Sequence, residues 1–241
     1  MFLKSKKKLT SSQILDLKPG DEHYRAYVGP PRDYDLISAM VFNLLTCIGL
    51  RQDHRVLDIG CGSLRVGRLL IPYLSESCYF GVEPNEWLVK DGITNEVGKD
   101  LIKLKKPSFS HQASMSDFSH ALNIDFAFAQ SIFSHCGLDL IEDWLKEIAP
   151  HLNDNGVFLA TFLTGDEDFE GSGWVYPECV NFKVETISEA AQKYGFGFKL
   201  LHWAHPRQQW GVFFKSKFDH TLTLGGDVSW RSAVKSRYPN L

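Results

Sequence analysis

Two strand-like runs near the end of the chain, FKLLHWA (198–204) and WGVFFKS (210–216), are separated by only five residues. A parallel crossover needs about a dozen residues or more, so this last pair must run antiparallel. Upstream, short apolar runs alternate with helical patterns. HRVLDIG (54–60), CYFGVE (78–83), SFSHQ (108–112), IDFAFAQ (124–130) and VFLATFL (157–163) have strand length. Between and around them, residues 35–50, 63–74, 85–93, 138–152 and 187–195 carry apolar residues at helical spacing. Such alternation predicts an α/β protein with a doubly wound, seven-stranded, mostly parallel, Rossmann-like sheet, helices on both faces and an antiparallel final strand. Asn153–Gly156 reads as a turn before the fifth strand.

With 241 residues and 44% apolar content, the chain can bury a full core without disulfides or metals. Twenty-six basic against twenty-nine acidic residues leave a formal charge of −3, which gives no general attraction to phosphate polymers and disfavours a nucleic-acid-coating protein. The five cysteines form no C-x-x-C pair, so neither a zinc knuckle nor a secreted disulfide framework fits. The Lys4–Lys8 opening lacks the apolar run of a signal peptide, and no stretch approaches a membrane span; a cytoplasmic protein is expected.

In doubly wound sheets ligands bind beyond the carboxyl ends of the strands. The first strand there delivers Asp58-Ile59-Gly60-Cys61-Gly62-Ser63, whose two glycines permit a tight turn and close approach of a ligand. A third glycine at position 65 would complete the nicotinamide-binding G-x-G-x-x-G, but Arg65 stands there. Glu83 ends the second strand, where a carboxylate can accept both hydroxyls of a ribose. Asp58 would repel a pyrophosphate and suit an ammonium. A ribose, an ammonium and no phosphate describe S-adenosyl-L-methionine better than NAD.

VLDIGCG (56–62), GVEPN (81–85), SMSDF (114–118), FAFAQSIFSH (126–135) and LNDNGVFLATF (152–162) together resemble the successive motifs of class I S-adenosylmethionine-dependent methyltransferases. The resemblance spans residues 35–216. It implies that Asp58, Gly60, Cys61 and Gly62 surround the methionine part and that Glu83 and Pro84 lie at the ribose. By the same resemblance Asp117 and Phe118 lie beside the adenine, and Gln130 and Ser131 near the sulfonium. Gln-Ser-Ile-Phe departs from the N/D-P-P-Y signature, which disfavours a nucleobase or glutamine amide as acceptor. His135 stands where many small-molecule members of the family keep a histidine; it is read either as a general base or as a structural residue that caps the following helix or hydrogen-bonds a backbone carbonyl.

Residues 1–34 are expected to form a tail and a lid, with Tyr27 or Arg25 near the methionine carboxylate, and 217–241 a C-terminal extension. The first eleven residues are expected to be mobile. Residues 164–186 form a long loop with Asp166, Glu167, Asp168 and Glu170 among aromatics, including Trp174 and Tyr176; it reads as a substrate wall or as a solubilising surface. His205 and Arg207, in the last hairpin, read as substrate contacts or as hairpin braces. Lys103, Lys105 and Lys106 are expected to form an exposed face. No metal is expected. The sequence thus points to an enzyme methylating a small molecule (a sugar, glycan precursor or natural-product intermediate), with oxygen the favoured acceptor atom and no membrane or nucleic-acid partner. An RNA or protein methyltransferase and a non-catalytic cofactor-binding protein remain open, as does the oligomeric state.

Overall fold

The computed structural model describes residues 9–118 and 122–215. The lysine run at 4–8 and the extension 217–241 lie outside the described residues. Structure begins earlier than the composition implies: Thr10 caps a short helix, α1 (Ser11–Leu15), through a reciprocal capping box with Gln13.

Helix α2 (Tyr34–Cys47) turns Ile37, Val41, Leu44 and Leu45 into the core. Then follow β1 (Val56–Ile59), α3 (Gly67–Tyr73), β2 (Tyr79–Val82) and α4 (Glu86–Gly92). A π-helical turn (Ile93–Val97) leads into α5 (Lys99–Lys105) and β3 (Ser108–Ser110). After β4 (Ile124–Ala129) come α6 (Leu138–Ile148), β5 (Leu152–Thr164), the two-residue β6 (Asn181–Phe182), α7 (Val184–Lys193), β7 (Gly197–Leu201) and β8 (Gln209–Phe214).

The sheet order is β3-β2-β1-β4-β5-β8-β7, with β6 paired beside the end of β5. β8 runs antiparallel to both β5 and β7, and the other pairs are parallel. The reversed strand demanded by the five-residue connection is therefore β8. Alternation sorts the two cores. Val56, Phe126, Phe128, Leu159 and Trp210 face α2 and α3, whereas Leu57, Ile59, Ala127, Phe158 and Phe213 face α6 and α7. With both faces covered, the strands read as continuous apolar runs.

Two expectations are corrected. The Asn153–Gly156 turn is instead the opening of β5, which pairs Leu152 with Ile124 and then shifts register before Val157 meets Phe126. Of the lysines near 103–106, Lys103 and Lys106 are exposed as expected, but Lys105 is half-buried, and its Nζ donates to the Leu74 carbonyl at 2.6 Å.

Strand order reverses between β2-β1 and β4-β5, so the loops after β1 and β4 diverge and leave a crevice at the carboxyl edge.

Candidate active site

A cavity of about 490 Å³ opens at that crevice, within the range of small-molecule sites. Its floor is the turn after β1. Gly60 and Gly62 both have positive φ, 69° and 53°, and a Cβ on Gly62 would stand 2.7 Å from Val28 Cγ1. The turn is fixed from below, because the Gly60 and Cys61 amides donate to the Val82 carbonyl at 2.9 and 3.0 Å. Only glycine fits a left-handed turn so closely overlain.

Glu83 stands beside this turn at the tip of β2. Its Oε2 accepts from the Gly62 amide at 3.1 Å, and its Oε1 accepts from the backbone and side-chain nitrogens of Asn85, both at 2.8 Å. Burial pushes its pKa up, and these donors pull it down. An ionised carboxylate has about four lone-pair sites, two on each oxygen; Asn85 takes both on Oε1, and Oε2 keeps one for a ligand hydroxyl.

Across the turn lies Arg65, a residue the sequence reading treated only as a missing glycine. It is buried, with 9% of its surface exposed. Nη1 donates to the Val28 carbonyl at 2.9 Å, and Nη2 donates to the Gln130 side-chain oxygen. Among the described residues no carboxylate pairs with it. Its burial lowers its pKa. A buried guanidinium with neutral partners and spare N–H groups is an anion receptor waiting for its counter-charge.

Tyr27, Pro84, Gln130, Ser131, His135, Trp174, Tyr176, His205 and Arg207 also reach the cavity wall. Asp58 and Cys61 do not; they lie under the turn beside a much smaller cavity. There Tyr79 Oη donates to Asp58 Oδ2 at 2.7 Å, and burial pushes the carboxyl up to about 7 against the pull of Tyr79 and Arg65. Asp117 and Phe118 are not on the wall either. Asp117 Oδ2 closes the turn after β3 by accepting from Ser110 Oγ and the His111 amide, and the Phe118 ring sits edge-on to Phe80 in the core. Ala113, from the same stretch, lines the cavity instead.

The N-terminal segment borders the site with Tyr27, Val28, Gly29 and Pro30. Arg25 turns away from it: its Nη2 pairs with Glu96 at 2.6 Å, and its guanidinium lies over the Tyr34 ring at 4.7 Å. The loop after β5 brings aromatics rather than acids to the wall. Asp168 accepts from the Lys183 amide and Thr186 Oγ1 at the start of α7, while Trp174, Tyr176, Pro177 and Cys179 face the cavity.

The two histidines are held in opposite senses. His135 Nδ1 donates to the Glu178 carbonyl at 2.5 Å, which leaves the Nε2 lone pair free to accept a proton. Burial lowers its pKa, and Arg207 adds to the effect. His205 Nδ1 instead accepts from the Arg207 and Gln208 amides at 3.1 and 2.9 Å, so its proton sits on Nε2. Burial, with Arg65 and Arg207, pushes His205 down to about 4. The unfolded chain takes up this proton near 6.5 and the fold refuses it. This group's contribution to stability therefore falls as pH drops from 6.5 toward about 4, and no further below that. Replacing His205 by Asn should flatten that part of a Tm-against-pH curve; an unchanged slope would refute the assignment.

No family model matches the chain. Solved structures do. Magnesium protoporphyrin IX methyltransferase from Synechocystis PCC 6803, with SAH bound, superposes with a TM-score of 0.57 over 77% of this chain and 84% of that one, at 13% identity. The 1,6-didemethyltoxoflavin-N1-methyltransferase of Burkholderia thailandensis gives 0.52 over 75% and 76%, at 17% identity. The chain has the class I methyltransferase fold. At such identities the likeness concerns the backbone, and the site must be argued from its own residues. In this fold the turn after β1, the tip of β2 and the exit of β4 share one crevice, and here they carry Gly60 and Gly62, Glu83 and Gln130.

One polar feature escaped the sequence reading besides Arg65. Gln208 donates through Nε2 to Ser131 Oγ and Ser134 Oγ at 3.0 and 3.1 Å, but its Oε1 is buried without a partner at the cavity wall. Ser131 has a positive φ of 59°, its amide bonded to Thr161 Oγ1 at 2.7 Å. Such strained backbone at the exit of β4 marks a place where position matters more than comfort. Among the described residues no group of His, Cys, Asp and Glu could hold a metal ion, and no helix is long and apolar enough to cross a membrane.

Proposed function

We propose that this protein is an S-adenosyl-L-methionine-dependent methyltransferase acting on a hydroxyl of a small molecule. The observation that carries the reading is charge placement: a buried Arg65 without a carboxylate partner on one side of the glycine turn, and the Glu83 carboxylate on the other. An amino-acid carboxylate and a ribose diol, joined through a sulfonium, match that pair. A dinucleotide would bring phosphates to a turn whose third glycine is replaced and whose nearest acid is Glu83.

When bound, S-adenosylmethionine supplies an electrophilic methyl carbon on a positively charged sulfur. The chain does the rest. Arg65 would hold the carboxylate, Glu83 Oε2 a ribose hydroxyl, and the turn at Gly60 and Gly62 would let the chain approach closely. Tyr27 and the Trp174–Tyr176 wall exclude water, which favours a reaction that disperses charge. The acceptor oxygen must be held ~3 Å from the methyl carbon, in line with the sulfur. His135 Nε2 is the free ring nitrogen that can take the hydroxyl proton as that oxygen attacks.

Calorimetry with S-adenosylhomocysteine tests the first step, and saturable one-to-one binding is the expected result. No heat and no thermal shift would overturn the reading. Glu83→Ala should weaken that binding ~10–100-fold, from a lost hydrogen bond of about 1.5–3 kcal/mol. Unchanged affinity would remove Glu83 from the ribose.

A further inference from the structure

The remaining half of the cavity has a chemistry that Arg65 and Glu83 do not account for. Trp174 and Tyr176 stack with ring planes 24° apart and centroids 6.0 Å apart. Tyr176 also meets His135 edge-on at 4.9 Å and Tyr27 at 6.0 Å. These rings are not on a loose loop. Trp174 forms a bridge with Cys136, the Val175 amide donates to the His135 carbonyl, and Tyr176 Oη donates to the Tyr27 carbonyl. Trp174 nonetheless keeps 53% of its surface exposed, far more than a ring that serves only the core.

The charge on this half is one-sided. Arg207 lines the cavity and is exposed, and among the described residues its guanidinium has no hydrogen-bond or ion-pair partner. The two acids that line the cavity are Asp33, in the N-terminal segment, and Glu83, which already holds Gly62 and Asn85. The four acids of the loop after β5 stay off the wall. His135, whose Nε2 lone pair is free, lines the same space; Gln208 lines it too, with its Oε1 buried and unpartnered. The wall therefore offers aromatic faces, a cation without an ion-pair partner among the described residues, and an acceptor nitrogen.

We propose that this half takes a flat aromatic acceptor bearing a hydroxyl and an anionic group, with its ring against Trp174 and Tyr176 and its anion on Arg207. The proposal rests on the methyltransferase reading for which half of the cavity is the acceptor's. Arg207 sets specificity: a guanidinium engages a carboxylate with two parallel bonds, which an uncharged amide cannot reproduce. The aromatic wall supplies affinity without regard to charge.

The test is calorimetry in saturating S-adenosylhomocysteine with three probes of increasing ring count: 4-hydroxybenzoate, 6-hydroxy-2-naphthoate and 6-hydroxyanthracene-2-carboxylate. Each is compared with its carboxamide and with its ring-saturated acid. At least one acid should bind tenfold or more tighter than both of its counterparts. Arg207→Gln should erase the preference for acid over amide while leaving the amide's affinity unchanged. Trp174→Ala should weaken acid and amide alike. S-adenosylhomocysteine affinity, measured in each variant, reports whether the fold and the first half of the site survive. If that compound binds and no acid exceeds its amide, or if Arg207→Gln keeps the preference, the acceptor assignment is overturned and the methyltransferase reading stands. If S-adenosylhomocysteine does not bind to the unaltered protein, the methyltransferase reading fails and this inference fails with it.

Discussion

Replacing Arg65 by methionine should cost the protein roughly a hundredfold or more in affinity for S-adenosylhomocysteine, while the free protein melts no earlier than before. The two halves of this result have one cause. The guanidinium is buried, and its two hydrogen bonds go to the Val28 carbonyl and the Gln130 side-chain oxygen, both neutral. Asp58 and Asp33 act on it only from beyond hydrogen-bond contact, and a charge buried without a bonded counter-charge is costly to the fold. A ligand carboxylate would relieve that cost through charge-assisted bonds of about 1.5–3 kcal/mol each, and two of them convert to a hundredfold or more. Methionine fills a similar length without the charge, so the unliganded fold loses two hydrogen bonds and sheds the desolvation cost. Arg65→Lys should fall between, because an ammonium keeps the charge but not the fork. Calorimetry measures the affinity, and a thermal melt with and without ligand measures the rest, since ligand stabilisation follows RT ln(1 + [L]/Kd). An affinity within threefold of the unaltered protein would place the ligand's carboxylate elsewhere.

Arg65 also shows where sequence reading stopped. Position 65 is where a glycine fingerprint breaks, and in the sequence alone a broken fingerprint reads as an absence. That the side chain bends back over the turn, to Val28 on one flank and Gln130 on the other, depends on contacts spanning 37 and 65 residues. Arg25 failed in the opposite direction. Its place in an aromatic stretch before α2 pointed to the ligand, but Glu96, 71 residues away on a π-helical turn, captures it. No local pattern announces such a partner.

The sheet was legible because period and length speak locally. Alternating strand and helix patterns, with one connection too short to cross over, left little choice of topology. The misreadings lie where composition and tertiary pairing disagree. Asn-Asp-Asn-Gly has turn composition, yet pairing with β4 carries it into β5 through a register shift. Helix α5 hides Leu101 and Ile102 among lysines, so its charged residues read as surface while its apolar ones pack beside α3. The resemblance puts Asp117 and Phe118 beside a ligand; in the structure one oxygen of Asp117 closes the turn after β3, the half-buried Phe118 ring packs on Phe80, and neither lines the cavity.

His135→Gln should lower kcat by ~10²–10⁴-fold, the usual range for a general base, and leave S-adenosylhomocysteine affinity unchanged. The sign of the pH dependence follows from the site. Burial depresses the His135 pKa below 6.5, with Arg207 acting in the same direction. The neutral ring is the working form, so kcat/KM should be flat through neutral pH and fall only on the acid side, below 6.5. Arg207→Gln removes one of the lowering influences, and the acid limb should move up toward 6.5. Glutamine at 135 can still donate toward the Glu178 carbonyl, so the local structure is kept while the proton acceptor is lost. In that variant the acid limb should vanish, and activity should instead climb at high pH as the acceptor's hydroxyl ionises without help. A structural histidine predicts otherwise: a modest loss, an acid limb still present and no recovery in base. That outcome would return His135 to the role of a brace for the Trp174–Tyr176 wall, and the proton would have to leave by solvent or with the acceptor already ionised.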